Sequence, residues 1–314
     1  MQILGHLLIG AACSLGGRLL VGQFWHGLRR MTTPRQLDLF SGGGESPPAP
    51  PDLELWTPLD PTGLSDRGLI AMIPRASQAE ADILAREAVR RGLASAIPAL
   101  EALCRRFTGF GQDREVTEQV AALAALTELG ANAGAGGKAA AEAVARLFAA
   151  GSVRGPGMAK ALDAAAALGC RLPPERIEPL LRDPEPAIRA AACRCARSHA
   201  GTIKTLIDLL TDLHPPVAHA SAHALSRLGR PDGVGVLTRL LQTEPTAEIV
   251  AALAPIAGDD EIVRLGQTAM RHPDLAPAIV AALEDCEAPR AAIVAAGLRR
   301  RMGLPDGVAG WACR

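Results

Sequence analysis

Short segments of this chain repeat at a spacing near thirty residues, and that periodicity constrains the fold more than any other feature. Ile188-Arg189-Ala190-Ala191-Ala192-Cys193 is echoed by Val217-Ala218-His219-Ala220-Ser221-Ala222, twenty-nine positions on (188 to 217). Ile249-Val250-Ala251-Ala252-Leu253 recurs identically thirty positions on (249 to 279) as Ile279-Val280-Ala281-Ala282-Leu283. Diverged copies stand at Ala121–Leu126 and Ala164–Gly169. A unit of this length holding two helical patterns cannot bury its apolar face alone, so such units stack into an α-solenoid.

Local chemistry marks the units. Asp183-Pro184-Glu185-Pro186 places an acidic cap and prolines ahead of a helical run. Gly229 closes a helix over 217–228, and Arg230-Pro231-Asp232 supplies the turn to the next. Val234, Leu237, Leu240 and Leu241 form one apolar stripe at helical spacing. The same reasoning predicts pairs near 79–91 with 95–107, 115–129 with 138–149, and 157–168 with 174–182. Four more follow at 186–198 with 201–212, 217–228 with 232–242, 247–256 with 260–271, and 275–285 with 288–301. The core must come from small aliphatic residues: 48% of the chain is apolar, yet it holds three Trp, five Phe and no Tyr. That composition favours close-packed helices over a β-sandwich.

These units resemble HEAT repeats in the short form named after phycobilisome-lyase proteins. The resemblance rests on Ile188-Arg189-Ala190-Ala191, and on Val217 with Ala220, Ala224, Leu225, Leu228 and Gly229. It covers roughly 75–302 and implies a right-handed α-solenoid that serves protein–protein interaction. Ala218 departs from the pattern, standing where such repeats carry arginine, and Pro255 interrupts the 249 copy. The expected organisation is an apolar segment at 1–30, a flexible arm at 31–74, the solenoid at 75–302 and a tail at 303–314.

The arm holds Gly42-Gly43-Gly44 and prolines at 47, 48, 50 and 51, which cannot bury enough surface to order themselves. Within it Gln36-Leu37-Asp38-Leu39-Phe40 has no core to enter, and apolar residues in such a tether are there to be bound. The pentapeptide resembles the motif by which bacterial replication and repair proteins dock on the DNA sliding clamp. That resemblance implies Leu39 and Phe40 in the clamp's apolar pocket and the Gln36 amide at its rim. Leu37 would add a further contact and Asp38 would fix the turn. Two such anchors, at roughly 1.5–3 kcal/mol each less the cost of ordering the tether, give an affinity of about micromolar. Trp56 and Trp311 are expected to cover the ends of the stack.

Residues 1–30 contain no acidic side chain. Their apolar run is broken by His6 and by glycines, no basic residue precedes Arg18, and the stretch before Arg18 is too short to span a bilayer. Three readings stay open: an extension upstream of a start at Met31, a membrane-associating segment, or an export signal.

Chemistry-bearing patterns are sparse. There are 33 basic and 33 acidic side chains, a balance that argues against coating nucleic acid or an anionic membrane. His219 and His223 lie four apart on one helix face and form the one candidate metal pair, which would need a third ligand from a neighbour. The seven cysteines are irregularly spaced in helical runs, which predicts buried thiols and a cytoplasmic setting rather than a disulfide framework. Arg90-Arg91, Arg105-Arg106 and Arg299-Arg300-Arg301 are read as solvated charge at helix ends. The chain is therefore expected to be a non-enzymatic adaptor without cofactor or direct nucleic-acid contact. Its partners would be the clamp and a second protein on the solenoid, with a membrane role only if 1–30 is an anchor. A HEAT scaffold unconnected with DNA and a lyase-type HEAT protein are the alternatives.

Overall fold

Prolines open many helices of this protein, and among the described residues Pro179 alone stands deeper inside one. The opening prolines stand at the first or second position of helices beginning at Ile97, Pro174, Pro186, Pro215, Ala276 and Pro289, where the missing N–H costs nothing. The computed structural model describes residues 59–131 and 135–304, and among these it contains fifteen α-helices and no strand. The first are α1 (Asp66–Met72), α2 (Gln78–Arg90), α3 (Ile97–Arg106), α4 (Thr117–Ala131) and α5 (Ala135–Ala149). Next come α6 (Gly157–Ala167), α7 (Pro174–Leu180), α8 (Pro186–Cys195), α9 (Ala200–Leu209) and α10 (Pro215–Arg227). The last are α11 (Val234–Thr243), α12 (Ala247–Leu253), α13 (Asp259–Arg271), α14 (Ala276–Glu284) and α15 (Pro289–Met302).

The helices form two layers. In the first, α2, α4, α6, α8, α10, α12 and α14 each pack on the next. The second is assembled from α3 on α5, α7 on α9, α11 on α13 and α13 on α15. This is an α-solenoid, and small residues make its first layer tight. Ile188, Ala191, Ala192 and Cys193 of α8 are buried against neighbours, as are Val217, Ala220, Ala222, Ala224 and Leu225 of α10. At Gly130 of α4 the approach is closer still, because a Cβ there would overlap the Leu168 side chain.

Helix ends follow the expected chemistry. After α10, Gly229 takes a left-handed conformation (φ 67°), the Gly229 amide donates to Ser226 O, and Arg230 N donates to Leu225 O at 2.9 Å. At the start of α2 the Ser77 amide and hydroxyl both donate to Glu80, at 2.9 and 2.8 Å. Those bonds, the amide first, hold the Glu80 carboxyl below its ordinary value. A group with a lowered folded pKa stabilises above its unfolded value and loses that contribution as pH falls through the folded one. Glu80→Ala is expected to cost about 1 kcal/mol at neutral pH and progressively less in acid, measured by urea unfolding across pH.

Two expectations need correction. The body begins upstream of residue 75: Leu69 and Ile73 are fully buried, and Leu59, Leu64, Ile70 and Met72 pack against the same core. Residues 59–74 therefore belong to the solenoid rather than to the arm. Arg91 holds them, donating to Pro61 O at 2.9 Å, Leu64 O at 2.7 Å and the Asp66 carboxylate at 2.9 Å. The second difference is pairing. The packed partner of α9 is α10 rather than α8, and α3 packs on α4 rather than α2, so much of the hairpin register is shifted by one helix. Residues 1–58 and 305–314, with Trp56 and Trp311, lie outside the described residues.

Candidate interaction surface

An alanine-rich layer leaves furrows between its helices, since the side chains lining them are short. One furrow of about 480 Å³ lies between α2 and α4, floored by Ala85, Ala121 and Ala125. Its charges are balanced: Arg86 Nε donates to Asp82 at 2.9 Å, Arg90 pairs with Glu87, and Glu128 completes the rim. A second furrow of about 530 Å³ lies where α6, α8 and α10 adjoin, floored by Ala165, Ala166, Gly169 and Ala196. Its charged lining is Arg194, Arg197 and Arg227. Arg194 donates to Asp163 at 2.8 Å, whereas Arg197 and Arg227 reach only backbone carbonyls.

Polar side chains also tie successive units together. The Arg189 guanidinium makes a paired contact with the Asp212 carboxylate at 2.9 and 3.0 Å. It also donates to Asp183 O at 2.8 Å and Pro184 O at 3.0 Å, so it joins the α7–α8 turn to the α9–α10 turn. Both side chains are nearly buried, at 13% and 9% exposure. At the matching place in the next unit Ala218 is buried, so the rung is not repeated there. Upstream, Arg146 of α5 donates to Glu101 of α3 at 2.7 Å, and Arg105 shares that carboxylate. The Gln119 amide donates to Cys104 O at 3.0 Å and Ser152 O at 2.9 Å, joining α4 to α3 and to the α5–α6 connection.

The arginine clusters are thus partly structural. Arg91, Arg106 and Arg299 each hold carbonyls or carboxylates of neighbouring segments, rather than simply facing water. Sequence reasoning also missed Arg189–Asp212, although Arg189 was visible as part of the repeat.

His219 and His223 are half-buried on α10, and burial holds His223 below the ordinary histidine value. Among the described residues no group of three His, Cys, Asp or Glu side chains gathers there, so the pair lacks the third ligand it would need. Cys104, Cys170, Cys193 and Cys195 are free and buried, and Cys286 is half-buried. Burial pushes the thiols of Cys104, Cys193 and Cys195 up to about 12, so they stay protonated and unreactive at neutral pH. Cys13 and Cys313 lie outside the described residues, as do Gln36, Leu37, Asp38, Leu39 and Phe40. No helix among the described residues is long and apolar enough to cross a membrane.

Comparison with known families matches HEAT repeats to residues 173–255, the stretch from the start of α7 to just beyond α12. No curated protein and no solved structure matches the chain. HEAT repeats are in general protein-interaction scaffolds, and the stacked layers have that build.

Proposed function

We propose that this chain is a non-catalytic cytoplasmic adaptor that docks on the bacterial DNA sliding clamp through Gln36-Leu37-Asp38-Leu39-Phe40 and presents its solenoid to a second protein. The observation that carries the scaffold half is the unbroken first layer from α2 to α14, whose furrows face solvent along the stack. The clamp half rests on the pentapeptide, every position of which fits the docking pattern. A glycine- and proline-rich spacer at 41–58 separates it from the first helical turn, long enough for both engagements to occur together. The arm would supply location, and the solenoid would supply the cargo.

Co-elution of the full chain with purified clamp tests this reading. A complex with the full chain that is lost when residues 31–51 are deleted, while helical content is unchanged, is the expected outcome. Equal co-elution with and without those residues would refute docking through the arm.

A further inference from the structure

The furrow between α6, α8 and α10 carries positive charge that only one carboxylate offsets among the described residues. Three guanidinium groups from two successive first-layer helices line it: Arg194 near the end of α8, Arg197 just beyond it, and Arg227 at the end of α10. Asp163 occupies Arg194. Among the described residues no carboxylate pairs with Arg197 or Arg227. Arg197 reaches Gly169 O and Cys170 O at 3.3 and 3.4 Å, and Arg227 reaches Cys193 O and Ala196 O at 3.5 and 3.4 Å. These are long contacts, and each guanidinium presents five donors in a planar fork suited to a carboxylate.

We propose that this furrow binds an extended acidic segment of a partner protein, with carboxylates taken by Arg197 and Arg227. This rests on the scaffold reading above and names the chemistry of the solenoid's partner. Charge complementarity selects an anion, and the small residues Ala165, Ala166, Gly169 and Ala196 leave the furrow's volume of about 530 Å³ open to an incoming chain. Nucleic acid fits less well. No aromatic side chain lines the furrow to stack a base, and the cations form a short cluster rather than a track along a backbone.

The test is fluorescence titration of the full chain with a labelled oligo-aspartate peptide, with an oligo-lysine peptide and a thymidine oligonucleotide as further arms. Oligo-aspartate is expected to bind and to weaken with salt. Arg197→Gln/Arg227→Gln should weaken it about tenfold or more, as expected for two lost charge-assisted bonds. Arg300→Gln/Arg301→Gln removes the same charge from exposed positions at the far end and should leave it unchanged. Should the first double variant melt early, Arg197→Gln alone is expected to show a smaller loss in the same direction. No binding of oligo-aspartate, equal losses in the two double variants, or preferential binding of the oligonucleotide would overturn the proposal. Clamp co-elution on the same preparations separates the two readings, since a chain that keeps the clamp but ignores the peptide loses only this inference.

Discussion

Replacing Arg189 with alanine is expected to lower the stability of the folded body by about 3 kcal/mol, because it leaves a nearly buried carboxylate without its partner. Asp212 would keep only the His214 amide at 2.9 Å, and the Asp183 and Pro184 carbonyls would lose their donor. For a folded body of this size that corresponds to a fall in Tm of roughly 6–10 °C. Arg189→Ala/Asp212→Ala is expected to be less damaging than the sum of the single changes, since the double variant buries no orphan charge. The pH dependence has a defined sign. The Arg189 hydrogen bonds, followed by the His214 amide, hold the Asp212 carboxyl below its ordinary 3.8. The contribution of the pair is therefore complete above that value and lost as pH falls below it. Thermal melts of the three variants across pH check both points. Additive losses would show that the pair contributes nothing as a unit.

Leu225→Ala is expected to cost about 3 kcal/mol or slightly more through loss of buried apolar surface and the cavity left behind. Leu225 is fully buried on α10, which packs against α8, α9, α11 and α12, so a void there loosens the centre of the stack. Two clusters of buried side chains adjoin on this helix, Leu225 and Ala224 belonging to one and Ala222 to the other. Because stability in a stack passes between neighbours, amide exchange should accelerate in α8 to α12 before it does at either end. Leu213→Ala provides the contrast. That side chain is 95% exposed, and its loss should change stability by less than about 0.5 kcal/mol.

The repeats were readable because their signals are local. Proline at a helix start, glycine after its end and alanine at stacking positions all act within one unit, and the copies at 188, 217, 249 and 279 share the apolar and alanine pattern even where the proline or glycine is absent. What escaped depends on distant residues. Residues 59–74 contain Pro61 and Pro74 and a seven-residue helix, so their pattern looks like more arm. Arg91 holds them from 25 to 30 positions away, through bonds that no local window contains. The shifted pairing has a similar cause, since periodicity shows that helices alternate without showing which neighbour shares the larger face. The furrow arginines come from the end of α8 and, thirty positions on (197 to 227), the end of α10, and only stacking brings Arg227 beside the other two. Asp212 looked like a turn residue, and its role appears only once the preceding turn is laid beside it. The pentapeptide is the opposite case, a signal complete within five residues that owes nothing to the fold.

The most direct test of the adaptor reading is calorimetric titration of purified sliding clamp with the full chain and with its Leu39→Ala/Phe40→Ala variant. The account predicts binding of about micromolar strength for the unaltered chain, reduced at least about a hundredfold when both anchors are removed. Undiminished binding by the variant, or no binding by the unaltered chain, would contradict it.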